Sequence, residues 1–278
     1  MLYSANEMEG YAVGATDGVI GHVKDFYFDD EAWVIRYLVV DTGGWLSSRK
    51  VLVSPMAVGT PNRELRLLPA SISQEEVRKS PDIDTDKPVS RQHEMIFSGY
   101  YGYPYYWGGA GYWGGGMYPS LMMPGDGGLG SSYSYVSPGE GQRELAQRDS
   151  ARHEQEDPHL RSCSAVVGYH IHASDGEIGH VAGMLIDEET WAVRYLVVDT
   201  SNWWLGHQVL IAPQWIEAVN WFDETVAVSM RRQAVKDAPT YDPQAALNRG
   251  EEDRLYRHYG QTDYWTDHPV RDDEISRV

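Results

Sequence analysis

The chain has 278 residues, 42% of them hydrophobic, which is enough for one or two domains with modest cores. Its formal net charge of −18 is spread along the chain without a basic block. That disfavours binding to nucleic acid or to an anionic membrane surface, because both rely on Lys and Arg. A single cysteine, Cys163, excludes an internal disulfide and a thiolate metal cluster. We see no signal peptide and no apolar stretch of spanning length, so we expect a cytoplasmic protein.

The chain repeats itself without a gap. The segment WVIRYLVVDT at 33–42 recurs as WAVRYLVVDT at 191–200, and Tyr106-Trp107 recurs as Tyr264-Trp265. The repeated unit is therefore about 107 residues long and occurs twice. The predicted boundaries are 1–80 for a first barrel, 81–107 for a trailing aromatic segment, 108–158 for a linker, 159–238 for a second barrel and 239–278 for a trailing segment with an acidic tail.

Within each unit the sequence predicts strands. Short runs rich in Val, Ile, Tyr and Trp alternate with turn residues at the spacing of a small all-β barrel or sandwich. The predicted strands are 19–28, 33–41, 49–54, 56–59 and 63–68 in the first unit, and 177–186, 191–199, 208–212, 215–221 and 224–230 in the second. Asp17-Gly18 and Asp175-Gly176 are typical of hairpin turns. Gly21 and Gly179 indicate a bulge or a close strand crossing.

Each unit then ends in short helices. The segments SQEEVRKS and SMRRQAVKDA predict one or two helical turns that stop before Pro81 and Pro239, because a residue before proline avoids the helical conformation. Farther along, EEDRLYRHYG predicts a helix that ends at Gly260. QHEMIFSGYYG is its weaker counterpart in the first unit.

The strand at 33–41 is mostly apolar on both faces, with Arg36 among the apolar residues of one of them. A strand of an isolated barrel would have one polar face in contact with water. We therefore expect the second apolar face to be covered by the trailing helix, the sister unit or another chain. Arg36 is expected to pair with Asp41, as Arg194 with Asp199, or with a carboxylate of a partner. The interaction residues predicted from this strand face are Arg36, Leu38, Val40, Arg194, Leu196 and Val198.

The ordered set of these elements resembles the PRC-barrel family, the small β-barrel of the photosynthetic reaction centre H subunit and of ribosome maturation factors. The resemblance rests on Gly10-Tyr11, Asp17-Gly18 with Gly21, the acidic turn at 29–31, WVIRYLVVDT and KVLVSP at 50–55, and on the same set in the second unit. It implies an all-β fold of two small PRC-like β-barrels with short trailing helices, joined by a Gly/Tyr-rich low-complexity linker. It implies binding and positioning rather than one catalytic reaction. The membrane-anchoring helix of the reaction-centre subunit and the positive charge of the maturation factors have no counterpart.

Residues 98–137 are low in charge and rich in Gly and Tyr, which is typical of a segment without a fixed fold. Residues 100–107 are expected to pack on the first barrel. The remainder is expected either to be a passive tether or to supply weak, reversible stickers for self-association or for an apolar partner. The aromatic interaction residues predicted here are Tyr105, Trp107 and Trp113.

Metal, catalytic and cofactor sites are only weakly indicated. His170 and His172 lie two apart on a predicted strand and would point to one side, with His180 as a candidate third metal ligand. The alternative is an exposed polar strand edge. The acidic turns lack the ligand spacing of a calcium loop, so we expect solvated hairpin tips there. Cys163 has no base beside it and no nucleophile motif is present, so we expect no cofactor and no enzyme activity.

These patterns predict a non-enzymatic scaffold or adaptor with duplicated PRC-barrel modules. It would bind a protein partner or complex, with membrane contact only indirect, or it would self-associate, its barrels pairing within the chain or between copies. One alternative is a small-ligand or metal sensor at the cleft between the barrels. Another is a reaction-centre-like role in photosynthetic electron transfer, which rests on the resemblance alone.

Overall fold

The computed structural model describes residues 1–47, 49–81, 89–107, 159–200 and 207–265. The linker at 108–158 and the acidic tail beyond Trp265 lie outside these residues. The chain divides into two compact units, which do not follow the sequence repeat. Unit 1 consists of Met1–Val167 with Gly183–Arg194, and unit 2 consists of Gly168–Ala182 with Tyr195–Val278.

The described residues form mostly short strands with a few short helices. In the first repeat the elements are β1 (Leu2–Ser4), α1 (Ala5–Met8), β2 (Ala12–Ala15), β3 (Gly18–Asp29), β4 (Val34–Asp41), β5 (Lys50–Val53), β6 (Leu67–Pro69), α2 (Gln74–Lys79) and α3 (Arg91–Tyr101). In the second they are β7 (Leu160–Ser162), α4 (Cys163–Val166), β8 (His170–Ala173), β9 (Gly176–Asp187), β10 (Val193–Asp199), β11 (Gln208–Ile211), β12 (Ile216–Asn220), β13 (Thr225–Val228), α5 (Arg232–Lys236) and α6 (Arg249–Tyr259). None of these helices is long and apolar enough to cross a membrane.

The strands form two mixed sheets, and neither closes into a barrel among the described residues. One sheet has the order β5-β4-β3-β2-β6, and the other has the order β11-β10-β9-β8-β13-β12. Both are mixed because β2 pairs with β6 in parallel and β8 pairs with β13 in parallel, while neighbouring hairpins are antiparallel. The prediction of an all-β fold is confirmed, and the prediction of closed barrels is wrong.

In the first repeat a helical turn stands in place of one predicted strand. The predicted strand at 56–59 is a short 3-10 helix, Pro55–Ala57, because proline favours the first position of a helical turn and cannot donate to a ladder. Beyond this turn a single bridge joins Val58 to Ala70 where a closed barrel would need a continuous ladder. The two edge strands β5 and β6 therefore end without pairing to each other along their length.

The predicted turns and helix ends agree with the structure. Helix α3 ends at Gly102 and helix α6 at Gly260, with φ of 70° and 63°, a conformation in which glycine is favoured. The close strand crossing predicted at Gly21 is confirmed, since a Cβ there would lie 2.0 Å from the carbonyl oxygen of Asp41. The same distance separates a Cβ at Gly179 from the carbonyl oxygen of Asp199.

Strand β4 is buried on both faces, as its composition predicts. In unit 1 the trailing helix α3 supplies part of the cover, because the ring of Phe97 meets the ring of Tyr37 edge-on at 5.2 Å. In unit 2 the trailing helix α6 takes the same role on β10, where Tyr256 lies 6.5 Å from Tyr195. Of the predicted covers, the structure shows the trailing helix in each unit. In unit 1 it also shows the sister repeat, because Ile35 N on β4 donates to the carbonyl of Trp191 at 2.8 Å.

Unit 1 also contains pieces of the second repeat. Strand β1 pairs antiparallel with the end of β9, with Tyr3 opposite Ile186. Strand β7 pairs antiparallel with the end of β3, with Arg161 opposite Phe28. These short strands have no counterpart in the predicted set of elements.

Candidate interaction surface

The strand face predicted to bind a partner is buried in the first repeat. Arg36 is only 2% exposed, and Leu38 and Val40 are fully buried. Arg36 does not pair with Asp41: its Nη2 lies 3.0 Å from Oδ2 of Asp29. The structure therefore places this face inside the chain, where it holds β4 in place.

The equivalent residues of the second repeat are also used inside the chain. Leu196 and Val198 are fully buried. The Arg194 Nε lies 3.6 Å from Oδ2 of Asp187, and its Nη2 donates to Oγ1 of Thr190 at 3.1 Å. As in the first repeat, the arginine pairs with the acidic turn before its strand.

The acidic turns are structural and are not simply solvated tips. The buried carboxylate of Asp29 accepts hydrogen bonds from the backbone N–H groups of Glu31 and Ala32 at 3.0 and 3.1 Å. Asp187 accepts from Glu189 and Thr190 in the same way, at 2.9 and 3.0 Å. The expectation of solvated tips holds for Glu31 and Glu189, which are exposed, and fails for Asp29, whose carboxylate is buried.

The aromatic residues predicted as stickers fall into two groups. Trp107 is buried, with the guanidinium of Arg91 4.4 Å from its ring centre, and the half-buried ring of Tyr105 lies 4.9 Å from it. The packing of residues 100–107 on the first repeat is confirmed by the burial of Tyr103, Tyr106 and Trp107. Trp113 lies outside the described residues.

A buried carboxylate anchors this aromatic segment in unit 1. Glu94, on α3, is 2% exposed. Its Oε2 accepts a hydrogen bond from the hydroxyl of Tyr37 on β4 at 3.2 Å and another from the hydroxyl of Tyr106. Its Oε1 lies 3.1 Å from Nη1 of Arg91, which also donates to the Tyr106 hydroxyl at 3.1 Å. We call these four residues the Glu94 cluster.

Desolvation dominates the electrostatics of the Glu94 cluster. Burial raises the pKa of Glu94 to about 7, although Arg91 and the hydroxyl groups of Tyr106 and Tyr37 act in the opposite direction. Burial also raises the pKa of both tyrosine hydroxyls well above their usual value, so both remain donors. Beside the cluster, the guanidinium of Arg36 lies 4.0 Å from the ring centre of Tyr106.

Unit 2 carries the same cluster at the matching positions of the repeat. Oε1 of the buried Glu252 accepts from the hydroxyls of Tyr195 and Tyr264, both at 2.9 Å. Its Oε2 lies 2.8 Å from Nη1 of Arg249, which donates to the Tyr264 hydroxyl at 3.2 Å. We call these four residues the Glu252 cluster. Through these hydrogen bonds, each cluster joins a trailing helix and its aromatic tail to a central strand.

The sequence held a signal for these clusters that a search by motif does not find. Arg91 and Glu94 recur as Arg249 and Glu252, in step with the tyrosines around them. Repetition of a charged pair at fixed positions of a duplicated helix indicates a shared structural use. Charged residues in a short helix are ordinarily exposed, and so composition alone gives no reason to place them inside.

The histidines predicted as metal ligands lie on neighbouring strands of unit 2. His170 and His172 are both exposed on β8, and His170 is directly opposite His180 on β9. Nδ1 of His170 lies 2.9 Å from Oε1 of Glu177. Within the described ranges, no group of three or more His, Cys, Asp and Glu side chains is arranged to hold a metal ion.

Cys163 lies at the first position of α4 and is buried. Burial raises the pKa of its thiol well above the usual range, and the carboxylates of Asp25 and Glu9 act in the same direction. The thiol is therefore kept neutral and inaccessible, which is the opposite of what a reactive cysteine needs.

Two hairpin turns expose large apolar side chains. We call residues 62–67 the first tip and residues 220–225 the second tip. Leu65 is 70% exposed and Phe222 is 94% exposed. Both turns are held by an asparagine, since Asn62 Oδ1 accepts from Leu65 N at 2.9 Å and Asn220 Oδ1 accepts from Phe222 N at 3.1 Å.

The tips also match in backbone conformation. Arg66 and Glu224, at the same position of the two repeats, adopt φ of 48° and 54°. Non-glycine residues rarely adopt this left-handed conformation, so the turns are well-defined features rather than loose loops. The sequence analysis missed both tips because one apolar residue among turn residues gives no periodic signal.

Comparison with known proteins finds a match within the first repeat. Residues 1–60 match the family model of the PRC-barrel domain, which covers β1 through the turn after β5. The match confirms the predicted resemblance for this part of the chain, and a domain of this kind indicates a protein-interaction module. Among curated proteins, none matches the chain.

Proposed function

We propose that this protein is a non-enzymatic, cytoplasmic scaffold with two PRC-barrel-like modules, and that it binds a protein partner through the two tips. The observation that carries the proposal is the exposure of Leu65 and Phe222 on asparagine-capped turns. Removing a large apolar side chain from water is favourable, and aromatic residues such as Phe are enriched at protein interfaces.

The proposal relocates the docking surface from the one expected in the sequence. The face of Arg36, Leu38 and Val40 is used internally, so it supports the modules instead of contacting a partner. The tips have different charges around the anchor: Phe222 is followed by the exposed carboxylates of Asp223 and Glu224. A partner suited to the second tip therefore has an apolar pocket with a basic rim. Nucleic acid and direct membrane binding are not part of the proposed role.

The experiment compares three tagged chains as bait: the wild type, the double variant Leu65→Ser with Phe222→Ser, and the control Ile96→Ser. Ile96 is 55% exposed on α3 and so tests for loss of apolar surface in general. We expect the wild type and the control to capture the same defined protein, and the double variant to lose it. The captured protein is then purified and titrated against all three chains.

Stability of the double variant is measured in parallel. Substitutions at exposed positions change the free energy of unfolding by about 0.5 kcal/mol or less. Equal binding by the double variant and the wild type would contradict the proposal. Binding only between copies of the chain itself, seen by sedimentation and abolished in the double variant, would replace the partner by self-association.

A further inference from the structure

Two segments at matching positions of the repeat complete unit 1, and we call them the arms. Arm 1 is residues 1–8 and arm 2 is residues 159–166. Arm 1 pairs with the end of β9, which belongs to the second repeat, and arm 2 pairs with the end of β3, which belongs to the first. Each arm is thus held by the hairpin of the other repeat.

The arms are held by strand pairing and by burial. The backbone N–H of Asp30 donates to the carbonyl of His159 at 3.0 Å, and that of Glu188 donates to the carbonyl of Met1 at 3.1 Å. The buried arm residues are Tyr3, Ala5, Met8, Leu160, Cys163 and Val166. Addition of a strand to a sheet edge gives affinity through the main chain, and so selectivity must come from side chains.

The side chains at one position of each arm site differ in a complementary way. On the first hairpin, Oδ2 of Asp25 accepts from the hydroxyls of Ser162 and Ser164 at 2.5 and 2.9 Å, and Oδ1 accepts from Ser164 N at 3.1 Å. On the second hairpin, the residue that matches Asp25 is Gly183, and the arm residue that matches Ser164 is Asn6. A Cβ at Gly183 would lie only 3.3 Å from Nδ2 of Asn6.

Each site therefore combines one short residue with one long one. If arm 1 paired with the first hairpin, Asn6 would lie against Asp25. Two long side chains would then occupy a space that fits one long and one short side chain. Arm 2 on the second hairpin would set Ser164 against Gly183, which leaves the serine hydroxyl without its acceptor and leaves a gap. Both wrong pairings lose contacts that the observed pairings make.

We propose that these four residues, Asn6 with Gly183 and Ser164 with Asp25, make the arm exchange selective. The surface at residues 25–30 fits arm 2, the surface at residues 183–188 fits arm 1, and neither fits the arm of its own repeat. Each surface recognises the half of this chain that carries the other repeat. We expect the same recognition when the two halves are separate polypeptides. This proposal does not depend on the proposed function.

The first test uses the full chain with a protease site placed in the linker at 108–158. After cleavage, we expect the two halves to elute together at micromolar concentration. Two cleaved preparations, one carrying a mass tag on each half, are then mixed, unfolded in urea and refolded. Native mass spectrometry should show that halves reassort between preparations and that every pair contains one first half and one second half. Separation of the halves, or pairs of two like halves above a few per cent, overturns the proposal.

The second test assigns the selectivity to the named residues. In the cleaved protein we expect Gly183→Asp to weaken the association of the halves at least tenfold, and Asn6→Ser added to it to restore most of the loss. Asp25→Ala should also weaken the association about tenfold. The matched control is Glu75→Gln, an exposed carboxylate of α2 in the same unit, outside both arm sites and both tips. If Gly183→Asp has no effect, or if Asn6→Ser does not improve it, the residues named here do not set the selectivity.

Discussion

The Glu94 and Glu252 clusters have the same four residue types at the same positions of the repeat, but they differ in their access to water. In the Glu94 cluster, Tyr106 and Trp107 are buried and Arg91 has a side-chain exposure of 14%. In the Glu252 cluster, the side chain of Arg249 is 54% exposed, and Tyr264 and Trp265 are half-buried. The two clusters therefore share one pattern of donors and acceptors, but the Glu252 cluster is more exposed to water.

The packing beneath the two clusters explains part of the difference. Ser98 in the first repeat corresponds to Tyr256 in the second, where the hydroxyl of Tyr256 accepts from Nε2 of Gln214 at 2.8 Å and its ring lies 5.0 Å from that of Trp215. Around Ser98 there is instead a cavity of 10 Å³, about what one water molecule needs. The same hydrogen-bond pattern is therefore packed in two ways. In the first repeat the aromatic tail with Tyr106 and Trp107 covers it, and in the second repeat the bulky helix residue Tyr256 packs beneath it.

The largest expected effect is removal of the carboxylate from each cluster. Glu94→Ala leaves two tyrosine hydroxyls and Arg91 buried without their acceptor, so the free energy of unfolding should fall by about 3 kcal/mol. Glu252→Ala should cost only about 1.5 kcal/mol, because water can reach Arg249 and Tyr264. Urea unfolding, followed by tryptophan fluorescence, measures both. Equal losses in the two variants would show that the difference in access to water has no energetic weight.

The pH dependence of the Glu94 cluster is the next largest effect. The folded pKa of Glu94 is about 7 against a usual 4.5, so the folded state binds this proton more tightly than the unfolded state. The stability that Glu94 contributes is complete below about pH 4.5 and is lost as the pH rises towards about 7. Its charged neighbours are Arg91, Arg36 and Asp29.

The measurement is the unfolding free energy of the wild type minus that of Glu94→Gln, between pH 4.5 and pH 7.5. We expect this difference to fall by about 3 kcal/mol over that interval, because the amide of the variant cannot ionise. A difference that rises with pH would mean that Arg91 and the hydroxyls outweigh burial and that Glu94 is ionised in the folded protein at low pH.

The smallest effect is the loss of one hydroxyl from each cluster. Tyr106→Phe removes a donor to Glu94 and an acceptor for Arg91 in a buried site, and should cost about 1.5 kcal/mol. Tyr264→Phe removes the equivalent groups where water can replace them, and should cost about 0.5 kcal/mol. Thermal unfolding measures the loss of stability in the two variants. A larger loss in Tyr264→Phe than in Tyr106→Phe would refute the comparison.

Local patterns in the sequence were enough for the hairpins, the glycine positions and the helix ends. The acidic turn of Asp29, the helix stop at Gly260 and the strand crossing at Gly21 each depend on residues that are close in the sequence or on one backbone requirement. The helical turn that starts at Pro55 was not predictable in this way, because the apolar composition there favoured a strand.

The candidate sites were harder to predict than the fold. The burial of Arg36 follows from its pairing with Asp29 and its place over Tyr106, which lies seventy positions farther along the sequence. The arms escaped notice because a three-residue strand such as Leu2–Ser4 has no measurable period and its partner is far away in the chain. Repetition marked Glu94 and Glu252, but repetition alone does not tell whether a carboxylate is inside or outside.

The pairing of arm 1 with residues 185–187 has a consequence for synthesis of the protein. The ribosome adds about 5 to 20 residues per second, so this arm emerges roughly 10 to 40 seconds before the segment that receives it. During that interval Tyr3 and Met8, buried in the finished protein, lack the part of their cover that β9 supplies. A nascent chain stalled before residue 185 should therefore bind chaperones that recognise apolar segments, and the completed chain should not.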